Sequence, residues 1–103
     1  MTRTNSQKIK TVFDEDENIF YEGNMENGHF DGIGTMYYPN KKLKYIGLFK
    51  NNKFYGQGEM YYRSGKLLYK GEFKNHLFNG YGVRYNEDGT VMHQGLFSNG
   101  FFK

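Results

Sequence analysis

The central motif of this chain reads Tyr69-Lys70-Gly71-Glu72-Phe73-Lys74-Asn75-His76-Leu77-Phe78-Asn79-Gly80-Tyr81-Gly82. Its skeleton recurs 24 residues earlier from Tyr45, another 24 residues earlier from Tyr21, and in shortened form 24 residues later from His93. Self-similarity at a fixed period of roughly 20 to 50 residues is typical of repeat proteins, whose units bury their apolar sides against one another. The sequence therefore predicts an array of stacked units.

The composition favours an all-β fold. The 103 residues are 19% aromatic and include 14 Gly, one Pro and no Ala. Aromatic residues favour strands and Gly favours tight turns, whereas Ala is the strongest helix former. We expect strands joined by short turns.

Each unit reads as a β-hairpin. Asn27-Gly28 is typical of a two-residue type I′ turn, because that turn needs positive φ at both central residues. If the two strands pair residue by residue outward from this turn, each residue has a predicted cross-strand partner. The same counting from the turn applies to the third unit. The predicted pairs are Met25–Phe30, Gly23–Gly32, Tyr21–Gly34 and Ile19–Met36 in the first unit, and Phe73–Phe78, Gly71–Gly80 and Tyr69–Gly82 in the third.

The repeat grid also divides the chain. Residues 1–7 are polar and unpatterned, which predicts a flexible N-terminal tail. Lys8–Phe13 matches the second half of a hairpin and is expected to cap the array. The predicted repeat domain spans residues 8–103, with a half-unit at 8–20, full units at 21–44, 45–68 and 69–92, and a partial unit at 93–103.

Strand alternation places the aromatic columns on one face, over the glycines. We expect nine residues to line a groove for a protein partner. They are Tyr21, Tyr45, Tyr69, Met25, Phe49, Phe73, Phe30, Phe54 and Phe78. The opposite face carries mostly polar residues and a second aromatic column, Phe13, Tyr37, Tyr61 and Tyr85, for which stacked packing and a second contact strip are both open interpretations.

The residue types offer little for catalysis, metals or cofactors. There is no Cys, and the three His are scattered rather than spaced as metal ligands. The acidic turn Asp14–Asn18 lacks the central Gly and final Glu of a calcium loop, so a solvated turn is the expected state. The Gly-x-Gly pairs precede no helix, which excludes a dinucleotide loop. We expect no cofactor and no enzymatic activity.

Charge and hydropathy limit the partners. The net charge is +3, which is too small for a nucleic-acid surface. No segment is long and apolar enough for a membrane span, and Met1–Lys10 lacks the apolar middle of a signal peptide. The sequence therefore predicts a soluble, cytoplasmic protein that does not bind nucleic acid.

The pattern Tyr-x-Gly-x-Phe-x-Asn-x-x-x-x-Gly-x-Gly at this spacing resembles the MORN (membrane occupation and recognition nexus) repeat. The usual Trp of that repeat is here Met25, Phe49, Phe73 or Phe97, and His93 replaces Tyr in the last unit. The resemblance implies an elongated, twisted, single-layer antiparallel sheet of successive hairpins without catalysis. It also implies a setting in cytoskeletal or ciliary assemblies or at membranes.

Three functional hypotheses follow. The first is a scaffold that grips a helix or extended protein segment in the aromatic groove. The second is a peripheral membrane module that binds anionic phospholipids through Lys41, Lys42 and Lys44. The third is homo-oligomerisation through a C-terminal sheet edge that bears Phe97, Phe101 and Phe102.

Overall fold

The computed structural model describes residues 8–103, which form one antiparallel sheet of nine strands in sequence order. The strands are β1 (Lys8–Phe13), β2 (Ile19–Glu26), β3 (His29–Tyr37), β4 (Leu43–Lys50), β5 (Lys53–Tyr61), β6 (Leu67–Lys74), β7 (Leu77–Tyr85), β8 (Val91–Ser98) and β9 (Phe101–Phe102). This range contains no helix, and the all-β prediction of tandem hairpins is confirmed. The predicted tail at residues 1–7 lies outside the described residues.

The turns follow the repeat. Asn27-Gly28, Asn51-Asn52, Asn75-His76 and Asn99-Gly100 all have positive φ at both residues, between 49° and 91°. This is the conformation of a type I′ turn, whose twist matches that of the flanking strands. The opposite ends of the strands use a longer turn with one positive-φ residue, Glu17, Lys41, Gly65 or Gly89. Both kinds of turn therefore repeat with the 24-residue period.

The register next to each type I′ turn agrees with the prediction, but the register further along is wrong by two residues. Met25 pairs with Phe30, whereas Gly23 pairs with Gly34 rather than Gly32. Three β3 residues therefore lie opposite Asn24 alone, and Gly32 adopts φ 103° at the centre of this β-bulge. The bulge recurs at Gly56 (φ 72°) and Gly80 (φ 102°).

As a consequence, several predicted pairs are replaced. The observed pairs are Tyr21–Met36, Gly71–Gly82 and Tyr69–Arg84, and Ile19 pairs with Phe13 of β1. A regular ladder cannot accommodate the extra residues, and only Gly takes positive φ without a steric cost. The Gly-x-Gly pair of the motif thus combines two roles. In the first unit Gly32 forms the bulge, and Gly34 lies under the ring of Tyr21.

Neighbouring hairpins are joined through their turns as well as their strands. The amide of Asn52 donates to the Phe30 carbonyl at 2.9 Å, and the amide of His76 donates to the Phe54 carbonyl at 3.1 Å. At the other strand ends, the Tyr38 hydroxyl donates to the Tyr61 carbonyl at 2.6 Å. Neighbouring units are therefore hydrogen-bonded to each other at both ends of their strands.

The core is a single layer of side chains on one face of the sheet. We call this the aromatic face. Eight hydrophobic residues are buried there: Tyr21, Met36, Tyr45, Phe49, Phe54, Tyr69, Phe73 and Phe97. The rings cover one another, and no second layer of secondary structure lies over them within residues 8–103.

Candidate interaction surfaces

The aromatic face brings all nine predicted groove residues together. Within each unit a tyrosine stacks on a phenylalanine: the ring centroids are 3.8 Å apart for Tyr21 and Phe30 and 4.0 Å apart for Tyr45 and Phe54, with planes within 9°. Each tyrosine also meets a phenylalanine of the next unit edge-on, as Tyr21 meets Phe49 at 5.1 Å. Such geometries are favourable for aromatic pairs.

The same packing leaves most of these rings covered. Tyr21, Tyr45 and Tyr69 are 0% exposed, and Phe49, Phe54 and Phe73 are no more than 5% exposed. Met25, Phe30 and Phe78 are partly buried and pack against this cluster. The structure thus gives the nine residues a role in the core, and partner contact through them stays a prediction.

The tyrosine hydroxyls are part of the backbone network. The Tyr21 hydroxyl donates to the Asn24 carbonyl at 2.6 Å, and the Tyr45 hydroxyl donates to the Leu48 carbonyl at 2.7 Å. Asn24 and Leu48 are the residues that lie opposite the bulges. Burial raises the pKa of Tyr21 to about 12 and also raises that of Tyr45. These hydroxyls are therefore structural donors that remain protonated at neutral pH.

The opposite face carries an apolar surface that the sequence interpretation did not single out. Ile33 and Leu48 are cross-strand partners there and are 65% and 37% exposed, and Tyr81 and Leu96 form a second pair at 66% and 45%. The signal was present in the sequence, because large apolar residues occupy positions that alternation turns towards solvent. Ile33 and Tyr81 lie between two motif glycines, and Leu48 and Leu96 lie between a motif Gly and a Phe.

A shallow trough with Tyr81 in its lining crosses this part of the sheet. One part, of about 650 Å³, is lined by Gln57, Glu72, Tyr81, Gly82, Val83, Gln94 and Gly95. The adjoining part, of about 330 Å³, is lined by Ile46, Gly47, Gln57, Gly58, Glu59 and Lys70. We call these two parts together the outer trough; Leu48 and Leu96 directly follow the lining residues Gly47 and Gly95 in the sequence. The Glu72 carboxylate accepts the Tyr81 amide there at 3.1 Å.

The second aromatic column is only partly covered. Phe13 is 58% exposed, whereas Tyr37, Tyr61 and Tyr85 are half-buried. The Tyr61 hydroxyl donates to Glu59 Oε1 at 2.6 Å, and burial together with Glu59 raises the pKa of Tyr61 to about 12. The column thus combines packing with some exposed surface.

The predicted lipid-binding lysines lie at one turn but are not equivalent. Lys41 and Lys42 are exposed in the turn before β4. The Lys44 ammonium instead lies 5.6 Å from the centroid of the Tyr38 ring, and the Arg63 guanidinium lies 5.3 Å from the same ring. Two cations therefore flank Tyr38, while the other two lysines extend into solvent.

The C-terminal edge differs from the interior hairpins. Phe97 is buried at 4% exposure, but Phe101 and Phe102 are 78% and 44% exposed. His93 stacks on Phe102 with ring centroids 4.3 Å apart, as tyrosine does in the other units. The imidazole makes no bond to the Leu96 carbonyl, which accepts the Lys103 amide at 3.0 Å instead.

No group of three or more His, Cys, Asp or Glu side chains within residues 8–103 is placed to hold a metal ion. His29, His76 and His93 lie at different positions of the sheet, and His76 Nδ1 accepts the Phe54 amide at 3.3 Å. Likewise, no helix that could cross a membrane occurs in this range.

Comparison with known families agrees with the repeat pattern and the tandem hairpins. The family model described as MORN repeat matches residues 69–91, and that described as MORN repeat variant matches residues 30–51 and 54–75. No match is found among curated proteins. The matched segments cover most of the sheet from β3 to β7 and share its period. The chain belongs to the MORN repeat family.

Proposed function

We propose that this protein is a non-enzymatic scaffold that binds a segment of another protein along the outer trough. The MORN repeat is a non-catalytic module that generally mediates protein or membrane interactions. The observation that carries the proposal is the exposed apolar surface at and beside the trough: Tyr81 lines it, and the exposed residues Leu48 and Leu96 directly follow the lining residues Gly47 and Gly95. Exposed apolar patches with a polar surround are typical of interaction sites.

The dimensions of the trough suit a helix or an extended segment. From β3 to β8 there are five inter-strand steps of about 4.8 Å, hence about 24 Å. A helix of about 16 residues covers that distance. The middle of the trough contains Gln57, Glu59 and Glu72 beside a single cation, Lys70. The matching segment therefore has apolar residues at both ends and a basic group between them.

Two matched double variants test this site. Tyr81→Ser with Leu96→Ser removes one apolar end of the trough, whereas Leu77→Ser with Val91→Ser removes two similarly exposed apolar residues elsewhere, at 45% and 53% exposure. We expect a captured and then purified partner to bind the control variant like wild type, and the trough variant at least tenfold more weakly by calorimetry. Equal affinities for the two variants would refute the location.

The aromatic face is the competing site for the same partner. Phe78→Leu changes a half-buried ring of that face while keeping an apolar side chain. If Phe78→Leu abolishes binding and the trough variant does not, the partner lies on the nine residues of the predicted groove. Thermal melts of each variant separate lost binding from lost folding.

Membrane binding is a second candidate, favoured by one observation. Lys41 and Lys42 are exposed in one turn, and Arg63 and Lys66 are exposed in the next turn along the same edge. Basic side chains contribute about 1 kcal/mol each at an anionic surface. Flotation with phosphatidylserine vesicles would show binding that is lost in Lys41→Glu/Lys42→Glu/Lys44→Glu and at high salt. No flotation of the wild type would exclude this candidate.

The proposed setting is a cytoplasmic assembly of cytoskeletal or ciliary type, which the family resemblance supports. Imaging of the tagged protein in its native cell tests this placement. Diffuse signal that is extracted by mild detergent would contradict it.

A further inference from the structure

We propose that the outer trough binds an arginine side chain of the partner segment, held by the Glu72 carboxylate and by the ring of Tyr81. Since a protein segment is taken as the occupant of the trough, this assignment rests on the proposed function. Glu72 and Tyr81 both line the part of the trough that measures about 650 Å³. The Tyr81 side chain is 66% exposed, whereas Glu72 is half-buried. A carboxylate and an aromatic ring therefore border the same open hollow.

The Glu72 carboxylate is held in one place by the bulge of β7. Glu72 lies opposite this bulge, at whose centre Gly80 adopts φ 102°. A Cβ added to Gly80 would lie 2.7 Å from Glu72 Oε1 and 3.0 Å from Oε2, so the carboxylate occupies the space that a side chain would fill. Glu72 Oε2 also accepts the Tyr81 amide at 3.1 Å. The carboxylate is thus positioned before any partner binds.

The bulge itself does not require a negative charge. In the first unit Asn24 Oδ1 accepts the Ile33 amide at 3.1 Å, and it lies 2.9 Å from a Cβ added to Gly32. A neutral amide oxygen therefore performs the same structural role there. In the second unit the equivalent residue is Leu48, which has no side-chain acceptor, and the bulge is still formed. The charge of Glu72 thus goes beyond what the fold needs.

The Glu72 carboxylate has no ion-pair partner among the described residues. The ion pair in this part of the chain joins Lys70 Nζ to Glu59 Oε2 at 3.9 Å. Lys74 borders a neighbouring hollow of about 220 Å³ together with Glu72 but forms no ion pair with it. A carboxylate offers about four lone-pair sites, and the Tyr81 amide uses one of them. Glu72 can therefore accept two further N–H groups from a partner.

An arginine side chain matches this combination better than a lysine side chain does. The guanidinium group is planar, donates N–H groups in a fork that fits a carboxylate, and stacks on aromatic rings, whereas the lysine ammonium is a compact and strongly hydrated charge. Gln57 and Gln94 line the same part of the trough and carry carbonyl oxygens that accept further N–H groups. One guanidinium can thus use a carboxylate, a ring and amide oxygens in a single hollow.

NMR titration of the isotope-labelled protein with three capped five-residue peptides tests this site. Each peptide has alanines around a central arginine, lysine or citrulline, and citrulline has the shape of arginine without its charge. The arginine peptide should shift the backbone amides of Tyr81, Gly82 and Gln94, which line the hollow. It should bind at least fivefold more tightly than the citrulline peptide and at least twofold more tightly than the lysine peptide. Equal affinity for arginine and lysine, equal affinity for arginine and citrulline, or the absence of saturable shifts at these residues would each overturn the proposal.

Matched variants identify the groups that hold the arginine. Glu72→Gln removes the charge but keeps a side-chain oxygen for the Tyr81 amide, so this variant should melt like wild type and bind the arginine peptide at least fivefold more weakly. Glu22→Gln removes the same charge from an exposed residue of β2 and should bind like wild type. Tyr81→Ile reproduces the residue of the first unit and should weaken binding at least twofold. Equal affinities of wild type and Glu72→Gln, or an equal loss in Glu22→Gln, would refute the role of Glu72.

The peptide titration and the partner measurement can fail separately. The expected result is that the purified partner binds both the trough double variant and Glu72→Gln at least tenfold more weakly than wild type. If the partner loses affinity for the trough variant but binds Glu72→Gln like wild type, the arginine assignment is overturned and the trough remains the binding site. If the arginine peptide binds as expected but the partner has equal affinity for the trough and control double variants, the proposed function is refuted and the arginine site is supported.

Discussion

The hydroxyl of Tyr45 offers the most direct test of how the repeat is stabilised. Tyr45→Phe keeps the ring, which is stacked on Phe54, and removes the hydroxyl that donates the 2.7 Å bond to the Leu48 carbonyl. Leaving a buried acceptor without its donor costs about 1–3 kcal/mol. For a domain of this size, 1 kcal/mol shifts Tm by about 4–8 °C. We expect a loss of about 2 kcal/mol and a Tm lower by about 8–16 °C.

The fourth hairpin shows how small the stability loss of Tyr45→Phe could be. There the Leu96 carbonyl accepts a backbone amide, that of Lys103, because His93 makes no bond to it. If the bulge beside Tyr45 relaxes in the same way, a ladder bond replaces the lost one and the cost falls to about 1 kcal/mol.

Urea and thermal unfolding of Tyr45→Phe should be measured beside Tyr81→Phe. The Tyr81 side chain is 66% exposed and forms no side-chain hydrogen bond in the described structure, so its change in stability should stay within about 0.5 kcal/mol. Equal stability of wild type and Tyr45→Phe, or an equal loss in both variants, would show that the hydroxyl does not hold the bulge.

Three further predictions concern stability. Gly58→Ala should lower the free energy of unfolding by about 1–3 kcal/mol, because the new Cβ would lie 2.6 Å from Cε1 and Cζ of Tyr45; an unchanged urea midpoint would refute this clash. Burial holds the pKa of Tyr21 and Tyr69 at about 12, above the ordinary 10.0, so the protein should keep its stability up to about pH 10 and lose it towards pH 12; a urea midpoint that stays constant from pH 9 to 12 would contradict those shifts. Burial, with Lys53 and Lys44, lowers the pKa of His76, so stability should fall as pH drops below about 6.5, and His76→Asn should lessen this fall; parallel pH profiles for both proteins would exclude His76 as the cause.

The fold was largely predictable from the sequence because its signals are local and repeated. Asn27-Gly28 and its equivalents define the type I′ turns, and the tyrosine and phenylalanine columns define one buried face. The register beyond the turns was not predictable from alternation alone. It depends on a bulge at Gly32 and its equivalents. Opposite this bulge, the Asn24 carbonyl accepts a hydrogen bond from the Tyr21 hydroxyl.

The candidate sites were less predictable than the fold. The sequence showed that the rings of Tyr45 and Phe49 share a face, but the depth to which the rings cover one another depends on how far the sheet curls and on edge-on contacts such as Tyr45 with Phe73. The outer trough depends on residues such as Tyr81 and Leu96, whose pairing follows from the corrected register. Strand alternation therefore predicted which residues share a face of the sheet. It did not predict how far each side chain is exposed to solvent.

The strictly sequential strand order has a mechanical consequence. Since each of the nine strands in residues 8–103 pairs only with its neighbours along the chain, tension applied between β1 and β9 would peel hairpins from the ends instead of shearing the whole sheet at once. Each released unit of 24 residues would lengthen the chain by about 80 Å. A protein of this architecture would act under load as an extensible element that yields in equal steps and refolds by short-range contacts.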